Sequence, residues 1–406
     1  MSHKLLTILG KVRSDNGGDY RDATYNFNGQ QKKSKYFGLA LKDIVQPDEM
    51  IIIGTHGSMW DNFFIELGID DEQILELTEQ AQQNNIDEKL LSKLFQLAEE
   101  KLNIPINFCL ITYAQNEKEQ IDFIYQITNL FQSGDQATLD ITHGLRHLPL
   151  LVQHVINLLP ALKNTQVKGL YYGALELTTD HITPVMRLDG LNTITEWQYV
   201  LSEYDKTANI ALFCPLLTKI GVSKSTVKHL QNAAFFQQTH NLFKAKKSIS
   251  TFLGEMKNQD IDNNLVSLIS PVLENKLKWT KENTFWKQHF EWSSNALESR
   301  DYLRCALYAY EAFLERVCEH EGEYNADIDL AQEIMKKYLK KDKDQCDKKN
   351  INNAYHEIRQ VRNLLAHGDN NKSKLSKNVQ SAISNEDKLI KLLGYNLDIL
   401  KNSELS

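Results

Sequence analysis

The sequence predicts two structural classes in one chain, an α/β domain in the first half and an all-α region in the second. Three observations carry this prediction. Short apolar runs alternate with amphipathic helical patterns up to about residue 200, the alternation stops near residue 205, and helical periodicity then continues towards the C-terminus. Strand–helix alternation is typical of βαβ units and therefore of a doubly wound α/β sheet.

Five apolar runs are predicted to be strands that are covered on both faces, because each is almost continuously hydrophobic rather than alternating. They span residues 5–11, 50–55, 106–113, 137–142 and 167–175. Residues 117–131 and 145–159 carry apolar side chains at helical spacing between these strands. Two additions are predicted: a β-hairpin within 19–42, turning at Asn28-Gly29, and a polar helical insertion over 70–101.

The second half is predicted to be helical after a junction. Pro215 and Gly221 interrupt the pattern over 205–225. The predicted domains are an α/β domain at 1–204, a helical connector at 205–290 and a helical domain at 291–406. Helices within the last domain are expected over 300–319, 351–367 and 378–400.

Composition excludes several classes of protein. The 406 residues are 42% hydrophobic and 24% charged, which is ordinary for a globular protein and unlike disordered or collagen-like chains. The net charge of −7 disfavours a protein that coats nucleic acid broadly, so any such contact must be local. The five cysteines form no CxxC pair, which disfavours disulfide frameworks and cysteine zinc sites. No apolar run approaches the roughly 18 residues of a spanning helix, and the start resembles a strand more than a signal peptide. A cytoplasmic location without a membrane is expected.

The first candidate site follows a predicted strand. The run Asp140-Ile141-Thr142-His143-Gly144 is followed by Arg146, where the strand ends and a helix begins. Ligands of open α/β sheets bind beyond the carboxyl ends of the strands, and a helix N-terminus offers N–H groups to an anion. Gly144 would permit close backbone approach, Thr142 offers a hydroxyl, and Arg146 can bind a phosphate or stack on a base.

Two other strand ends are expected to contribute to the same site if the strands are parallel neighbours. The residues concerned are Thr55, His56, Gly57 and Ser58 after one strand and Gly10 and Lys11 after another. The alternative is that all three segments are ordinary strand-to-helix turns. The absence of GxGxxG and GxxxxGK[ST] disfavours a dinucleotide site and a P-loop. His143 and His147 have a spacing that metals use, but no third ligand is evident, so no metal site is predicted.

The second candidate site is the run Arg362-Asn363-Leu364-Leu365-Ala366-His367 in a predicted helix. At about 100° per residue, Asn363 and His367 lie about 40° apart on the side opposite the apolar face. A histidine can transfer protons near neutral pH, and an arginine can stabilise a phosphorane. RNA carries its own nucleophile, the 2′-hydroxyl, so such a pair could cleave RNA without a metal. The alternative is a solvated helix whose terminal histidine favours the negative end of the dipole.

Together the two motifs resemble the CARF–HEPN ribonucleases of type III CRISPR defence, in the branch with a DxTHG motif. The resemblance implies an N-terminal Rossmann-like CARF domain that binds a cyclic oligoadenylate, followed by a helical HEPN domain. It also implies a homodimer, in which the activator switches on a composite HEPN site that cuts single-stranded RNA. The tetra-adenylate is the activator that the resemblance favours, and no cofactor is implied.

The resemblance also implies roles for individual residues. Arg362 and His367 would be the catalytic pair, with Asn363 in support. The activator would contact the residues of the three strand ends: Gly10, Lys11, Thr55, His56, Gly57, Ser58, Thr142, His143, Gly144 and Arg146. Two other interpretations stay open at this point. The chain could be a sensor without catalysis that regulates a partner, or its CARF domain could itself degrade the activator.

Overall fold

The structure is a computed structural model that describes residues 1–11, 22–69, 72–259, 263–324, 326–340, 346–368 and 375–405. The chain divides into two compact units, Met1–Thr195 and Glu196–Ser406. This division lies inside one helix, Asp189–Thr207, a few residues before the predicted boundary. The predicted roles of the connector and the last domain stay predictions.

Unit 1 contains one sheet, in which the described residues form eight strands in the order β3-β2-β8-β7-β6-β1-β4-β5. The strands are β1 (His3–Ile8), β2 (Ala23–Phe27), β3 (Gln30–Ser34), β4 (Glu49–Thr55), β5 (Ile106–Ile111), β6 (Gln136–Asp140), β7 (Gln166–Gly173) and β8 (Ile182–Arg187). The five predicted strands are the adjacent parallel strands β7, β6, β1, β4 and β5. The α/β prediction for this half is therefore confirmed.

The predicted hairpin is also present, although residues 19–21 of its range lie outside the described residues. Strands β2 and β3 pair antiparallel around Asn28 and Gly29, whose φ angles of 52° and 102° suit a two-residue hairpin turn. The hairpin joins the sheet through β8, which pairs parallel with β2 and antiparallel with β7. Strand β8 is absent from the sequence-based prediction because Pro184 interrupts a short run and weakens its strand signal.

Helices and loops cover both faces of the sheet. The helices of unit 1 are α1 (Phe37–Val45), α2 (Trp60–Glu66), α3 (Gln73–Gln82), α4 (Glu88–Leu102), α5 (Glu117–Asn129) and α6 (Leu148–Lys163). Alternate residues of each strand enter different cores. Leu5 and Ile52 pack into a core with Trp60, whereas Leu6 and Ile53 pack into the core on the other face. The near-continuous hydrophobicity of the strands follows from this double coverage.

The second unit is helical throughout its described secondary structure, as predicted. Its helices are α7 (Asp189–Thr207), α8 (Cys214–Lys219), α9 (Lys224–Gln238), α10 (Leu242–Lys257), α11 (Asn264–Lys276), α12 (Phe285–Glu298), α13 (Tyr302–His320), α14 (Ile328–Lys340), α15 (Cys346–His367), α16 (Lys377–Ala382) and α17 (Glu386–Asn402). The predicted helix over 378–400 is two helices. Asn385 breaks it, because its side chain caps α17 by accepting a hydrogen bond from the Lys388 backbone N–H.

Two hydrophobic cores stabilise this unit. One joins α7 to α11 and extends to Trp292 and Tyr308, so the 205–290 segment shares its core with α12 and α13. The other joins α12 to α17 and includes Ile358 and Val361, which are completely buried on α15. The described parts of the chain contain no helix that is both long and apolar enough to cross a membrane.

Candidate functional site

The three strand-end segments of unit 1 adjoin one another at the carboxyl edge of the sheet. Strand β1 lies between β6 and β4, so the segment after β1 touches both neighbours. The Gly10 carbonyl accepts a 3.0 Å hydrogen bond from the Met59 N–H, and the Leu9 carbonyl accepts one of 3.1 Å from the Ser58 hydroxyl. The expectation that these segments sit together is met because the strands are parallel neighbours.

Two glycines let the segments after β1 and β6 come into backbone contact. A Cβ at Gly10 would lie 2.8 Å from the Gly144 nitrogen, which is closer than real Cβ contacts. Gly144 has φ of +103°, a left-handed conformation that strains any other residue, and a Cβ there would lie 2.7 Å from the Ile8 Cγ2. These positions therefore present backbone, not side chains, at the edge.

Asp140 anchors this edge from beneath. Its carboxylate is completely buried and accepts a 2.7 Å hydrogen bond from the Thr142 N–H and one of 2.5 Å from the Thr7 hydroxyl. The Thr7 hydroxyl in turn lies 2.7 Å from the Tyr36 hydroxyl. Burial raises the pKa of the Asp140 carboxyl to about 6, although the hydrogen bonds from Thr142 and Thr7 oppose the shift. Asp140 thus holds its own loop and ties it to β1.

His143 points into the protein rather than towards solvent. Its side chain stacks on Tyr36, with ring centroids 5.4 Å apart, and its Nε2 accepts a 3.3 Å hydrogen bond from the Phe37 N–H. Burial lowers the pKa of His143 to about 3, so the imidazole is neutral at physiological pH. The predicted contribution of His143 to a ligand would therefore have to come from its backbone.

The segment after β4 is a closed turn. The buried hydroxyl of Ser58 accepts a 2.9 Å hydrogen bond from the Thr55 N–H and lies 3.2 Å from the Thr55 hydroxyl. Nδ1 of His56 accepts a 3.1 Å hydrogen bond from the Ile86 N–H. Gly57 is also buried, and a Cβ there would meet the side chains of Asn84 and Tyr113. The Thr55 and Ser58 hydroxyls are therefore buried groups that stabilise the turn.

The cationic side chains are the groups that this edge exposes to solvent. Lys11 and Arg146 are exposed, and Thr142 is half-buried with its hydroxyl accepting a 2.8 Å hydrogen bond from the Gly173 N–H. Helix α6 begins at Leu148, and its N-terminus has no side-chain cap. The first-turn N–H groups of α6 are nevertheless engaged, because those of Leu148, Leu150 and Leu151 donate to the Leu145 and His147 carbonyls. The two exposed cations are the groups that suit an anionic ligand.

In unit 2, the second motif lies at the C-terminal end of α15. The guanidinium of Arg362 donates to the Asn363 Oδ1 from Nε at 3.1 Å and from Nη2 at 2.6 Å. Its Cζ lies 4.1 Å from the centre of the Tyr310 ring on α13, a cation–π contact. His367 is the exposed last residue of the helix, and Gly368, with φ of 62°, ends it. The motif thus places the oriented guanidinium of Arg362 and the solvent-exposed imidazole of His367 near the same end of the helix.

Tyr310 is a residue that sequence reasoning missed. The pattern marks it as one apolar position in a helical stripe, and nothing in the sequence links it to Arg362. Its ring is buried and stacks on Tyr355, with centroids 5.5 Å apart and the two hydroxyls 3.4 Å apart. This stacked pair forms a rigid floor beneath the guanidinium.

No group of three or more His, Cys, Asp or Glu side chains that could hold a metal is found among the residues that the structure describes. The Arg362 guanidinium cannot ligate a cation. The side chains of both candidate sites offer hydrogen-bonding groups, cations and an imidazole.

Comparisons with known proteins gave one match within unit 1 and others over most of the chain. A family model described as the CARF domain of the CRISPR system endoribonuclease Csx1 matches residues 4–176. The CRISPR-associated protein MJ1674 of Methanocaldococcus jannaschii is 24% identical over 384 residues, which cover 86% of this chain. The chain spans 59% of the length of that relative. A solved structure, Enterococcus italicus Csm6 bound to cyclic hexa-2′-fluoro-hexa-dAMP, aligns over 98% of this chain and 94% of its own, at 12% identity and a TM-score of 0.38.

Asp140 and His143 should contribute to stability with opposite pH dependence. The folded carboxyl keeps its proton up to about pH 6 instead of 3.8, so its contribution falls as the pH rises through that window. The imidazole, with its pKa depressed to about 3 from 6.5, contributes stability that is lost as the pH falls below 6.5. The two slopes oppose each other between about pH 4 and 6.

Replacement of Asp140 by Asn should remove the fall in unfolding free energy with pH that the Asp140 carboxyl causes. The rise with pH that His143 causes would then remain alone. The unfolding free energy of Asp140→Asn should then rise more steeply with pH than that of the wild type, by up to about 1.4 kcal/mol per pH unit. Urea unfolding at a series of pH values measures this, with the half-exposed Asp43→Asn as the matched control. Parallel pH profiles for wild type and Asp140→Asn would contradict the assignment.

Proposed function

We propose that the chain, whose residues 4–176 match the model of the CARF domain of the CRISPR system endoribonuclease Csx1, is a CRISPR-associated ribonuclease activated by a cyclic oligoadenylate. The activator, proposed to be the tetra-adenylate, binds at the carboxyl edge of the sheet. RNA is cut at a HEPN site formed by α15 of unit 2. The proposed enzyme is a homodimer that acts in the cytoplasm on single-stranded RNA.

The observation that carries the nuclease proposal is the fixed geometry of Arg362. The Asn363 amide oxygen takes two of its five N–H groups, and the Tyr310 ring holds its plane. Its three other N–H groups have no partner among the described residues, so they can donate to a phosphate. A preorganised donor is worth more in a transition state than a mobile one, because it needs no reorganisation.

The proposed reaction is an internal transesterification. The 2′-oxygen of one ribose attacks the adjacent phosphorus and loses its proton, and the 5′-oxygen of the next nucleotide leaves and gains one. The products are a 2′,3′-cyclic phosphate and a 5′-hydroxyl. Arg362 would stabilise the charge on the phosphorane, and His367 would carry a proton. The attacking 2′-oxygen and the leaving 5′-oxygen lie on opposite sides of the phosphorus, so a second copy of α15 across a twofold axis would supply the imidazole for the other side.

The activator proposal rests on the charge and polarity of the sheet edge. A cyclic oligoadenylate is a ring of phosphates that carries adenine bases. The exposed side chains of Lys11 and Arg146 match such a ring. The net charge of −7 is no obstacle, because these groups act at close range.

Loss of His367 should abolish RNA cleavage. Activated wild type should cut a fluorescent single-stranded RNA in EDTA and leave 2′,3′-cyclic phosphate ends, whereas His367→Ala should be inactive but still bind activator. His320→Ala, which removes an exposed histidine from the last turn of α13, is the matched control and should stay active. Cleavage that needs magnesium, or products with 3′-hydroxyls, would overturn the mechanism.

The Tyr310 ring should matter for catalysis through Arg362. Tyr310→Phe keeps the ring beneath the guanidinium and should retain most activity. Tyr310→Leu should lower kcat about tenfold or more with little change in KM, since a mobile arginine stabilises the transition state less. Steady-state cleavage kinetics test this, and equal kcat for the two variants would show that the ring does not position Arg362.

Arg146 should contribute to activator affinity. Removal of a charge-assisted hydrogen bond to phosphate in Arg146→Ala should weaken binding about tenfold or more. Isothermal titration with cyclic tetra-adenylate and, separately, cyclic hexa-adenylate measures the effect, with the exposed Lys118→Ala as the charge-matched control. Unchanged affinity for both rings in Arg146→Ala would move the activator away from this edge.

A further inference from the structure

A polar groove in unit 2 lies beside the helix that carries the Arg362 motif. It is a cavity of about 680 Å³ between α15, α16 and α17, a size within the roughly 300–1,000 Å³ range of ligand sites. Its lining includes three exposed lysines, Lys377, Lys388 and Lys391, and the exposed ring of Tyr395. None of these residues belongs to either motif.

The groove runs along the same face of α15 as the proposed catalytic residues. His356 and Gln360 line it, and at about 100° per residue these two fall within about 60° of Asn363 on the helix surface. His367 lies within the same arc, about 10 Å beyond Gln360 along the axis. A ligand in the groove would therefore continue towards Asn363 and His367.

The charge of the groove is locally positive. Glu357 is its only acidic lining residue within the described part of the chain. Its carboxylate is buried and accepts hydrogen bonds from Nδ2 of Asn378 at 2.7 Å and from Nδ2 of Asn396 at 3.1 Å. Three exposed ammonium groups therefore face a carboxylate whose oxygens are already engaged, in a chain of net charge −7.

Two further features suit nucleotides more than a plain anion. The Tyr395 side chain is 60% exposed, and an exposed aromatic ring is a platform on which a base can stack. Asn396 is almost fully buried at the groove, and its Oδ1 is a buried acceptor without a partner among the described residues. An unmet acceptor is costly, and because this oxygen has almost no accessible surface, the N–H of a nucleobase could satisfy it only after a small shift of the groove wall.

We propose that this groove binds the single-stranded RNA substrate, with phosphates at Lys377, Lys388 and Lys391 and a base on Tyr395, and leads the strand to Arg362 and His367. This assignment rests on the proposed nuclease function and adds a substrate site to it. The contacts go to phosphates and to a stacking face, so the groove would bind RNA with little sequence preference.

The test uses the full chain in a His367→Ala background, so that RNA stays intact. Fluorescence anisotropy with a labelled single-stranded RNA, in the presence of cyclic tetra-adenylate, reports affinity at several salt concentrations. The triple variant Lys377→Ala, Lys388→Ala and Lys391→Ala should bind roughly tenfold more weakly or worse, and its salt slope should fall by about 2. The matched control removes three exposed lysines of α9 and α10, Lys224, Lys228 and Lys247, and should bind as the parent does.

A second pair of variants tests the stacking contact. Tyr395→Ala should weaken RNA binding about tenfold, whereas Tyr395→Phe should keep it, since the π-face and not the hydroxyl makes the contact. Circular dichroism and thermal unfolding of each variant show whether the fold is intact. Equal loss in both lysine triples, or no loss in either, would overturn the groove assignment.

The groove and the proposed nuclease activity can fail separately. If wild type with His367 intact cleaves RNA while the groove triple binds normally, the groove assignment is wrong and the nuclease stands. If wild type cleaves nothing while the groove triple alone loses RNA affinity, the groove stands as an RNA site and the nuclease proposal fails.

Discussion

The hydrogen bonds to the buried carboxylate of Asp140 are the interaction on which the carboxyl edge of the sheet in unit 1 depends. This carboxylate lies at the end of β6, and it accepts hydrogen bonds from the Thr142 N–H of its own loop and from the Thr7 hydroxyl of the neighbouring strand. Thr7 extends the network to Tyr36, which also supports the His143 ring. The loop after β6 is thus fixed from inside the protein, and the Arg146 side chain is exposed on its outer side.

In unit 2 the Arg362 side chain is also held in place by neighbouring protein groups, but the groups are different. Arg362 is held by an aromatic floor and an amide rather than by a carboxylate. A carboxylate partner would neutralise the guanidinium and compete with a phosphate for its N–H groups. A ring and an amide oxygen orient the cation without removing its charge. Such an arrangement suits a group that must meet an anion.

The sequence predicts the strands and the helices well where hydrophobic periodicity is continuous, and the five parallel strands are the clearest case. It also predicts that the segments ending at Gly10, Thr55 and Thr142 share one edge, because parallel neighbours must end together. It does not predict which side chains face outwards. The polar side chains of Thr55, Ser58 and His143 are all buried. The Ser58 hydroxyl accepts a hydrogen bond from the Thr55 N–H, and the His143 ring accepts one from the Phe37 N–H, which is distant in the sequence. The contact between Tyr310 and Arg362 joins two helices about fifty residues apart, and periodicity carries no signal for it.

The close approach of Gly10 and Gly144 separates the scaffold of the edge from its chemistry. Neither position can gain a side chain without displacing backbone or Ile8, so these two loops are closed to change. Lys11 and Arg146 beside them are exposed and are outside the buried hydrogen-bond network. Substitutions at Lys11 and Arg146 can therefore change the charge of this edge while the backbone at Gly10 and Gly144 stays the same. Related proteins could differ in what binds at this edge through a few surface substitutions, without a change in the fold of the domain.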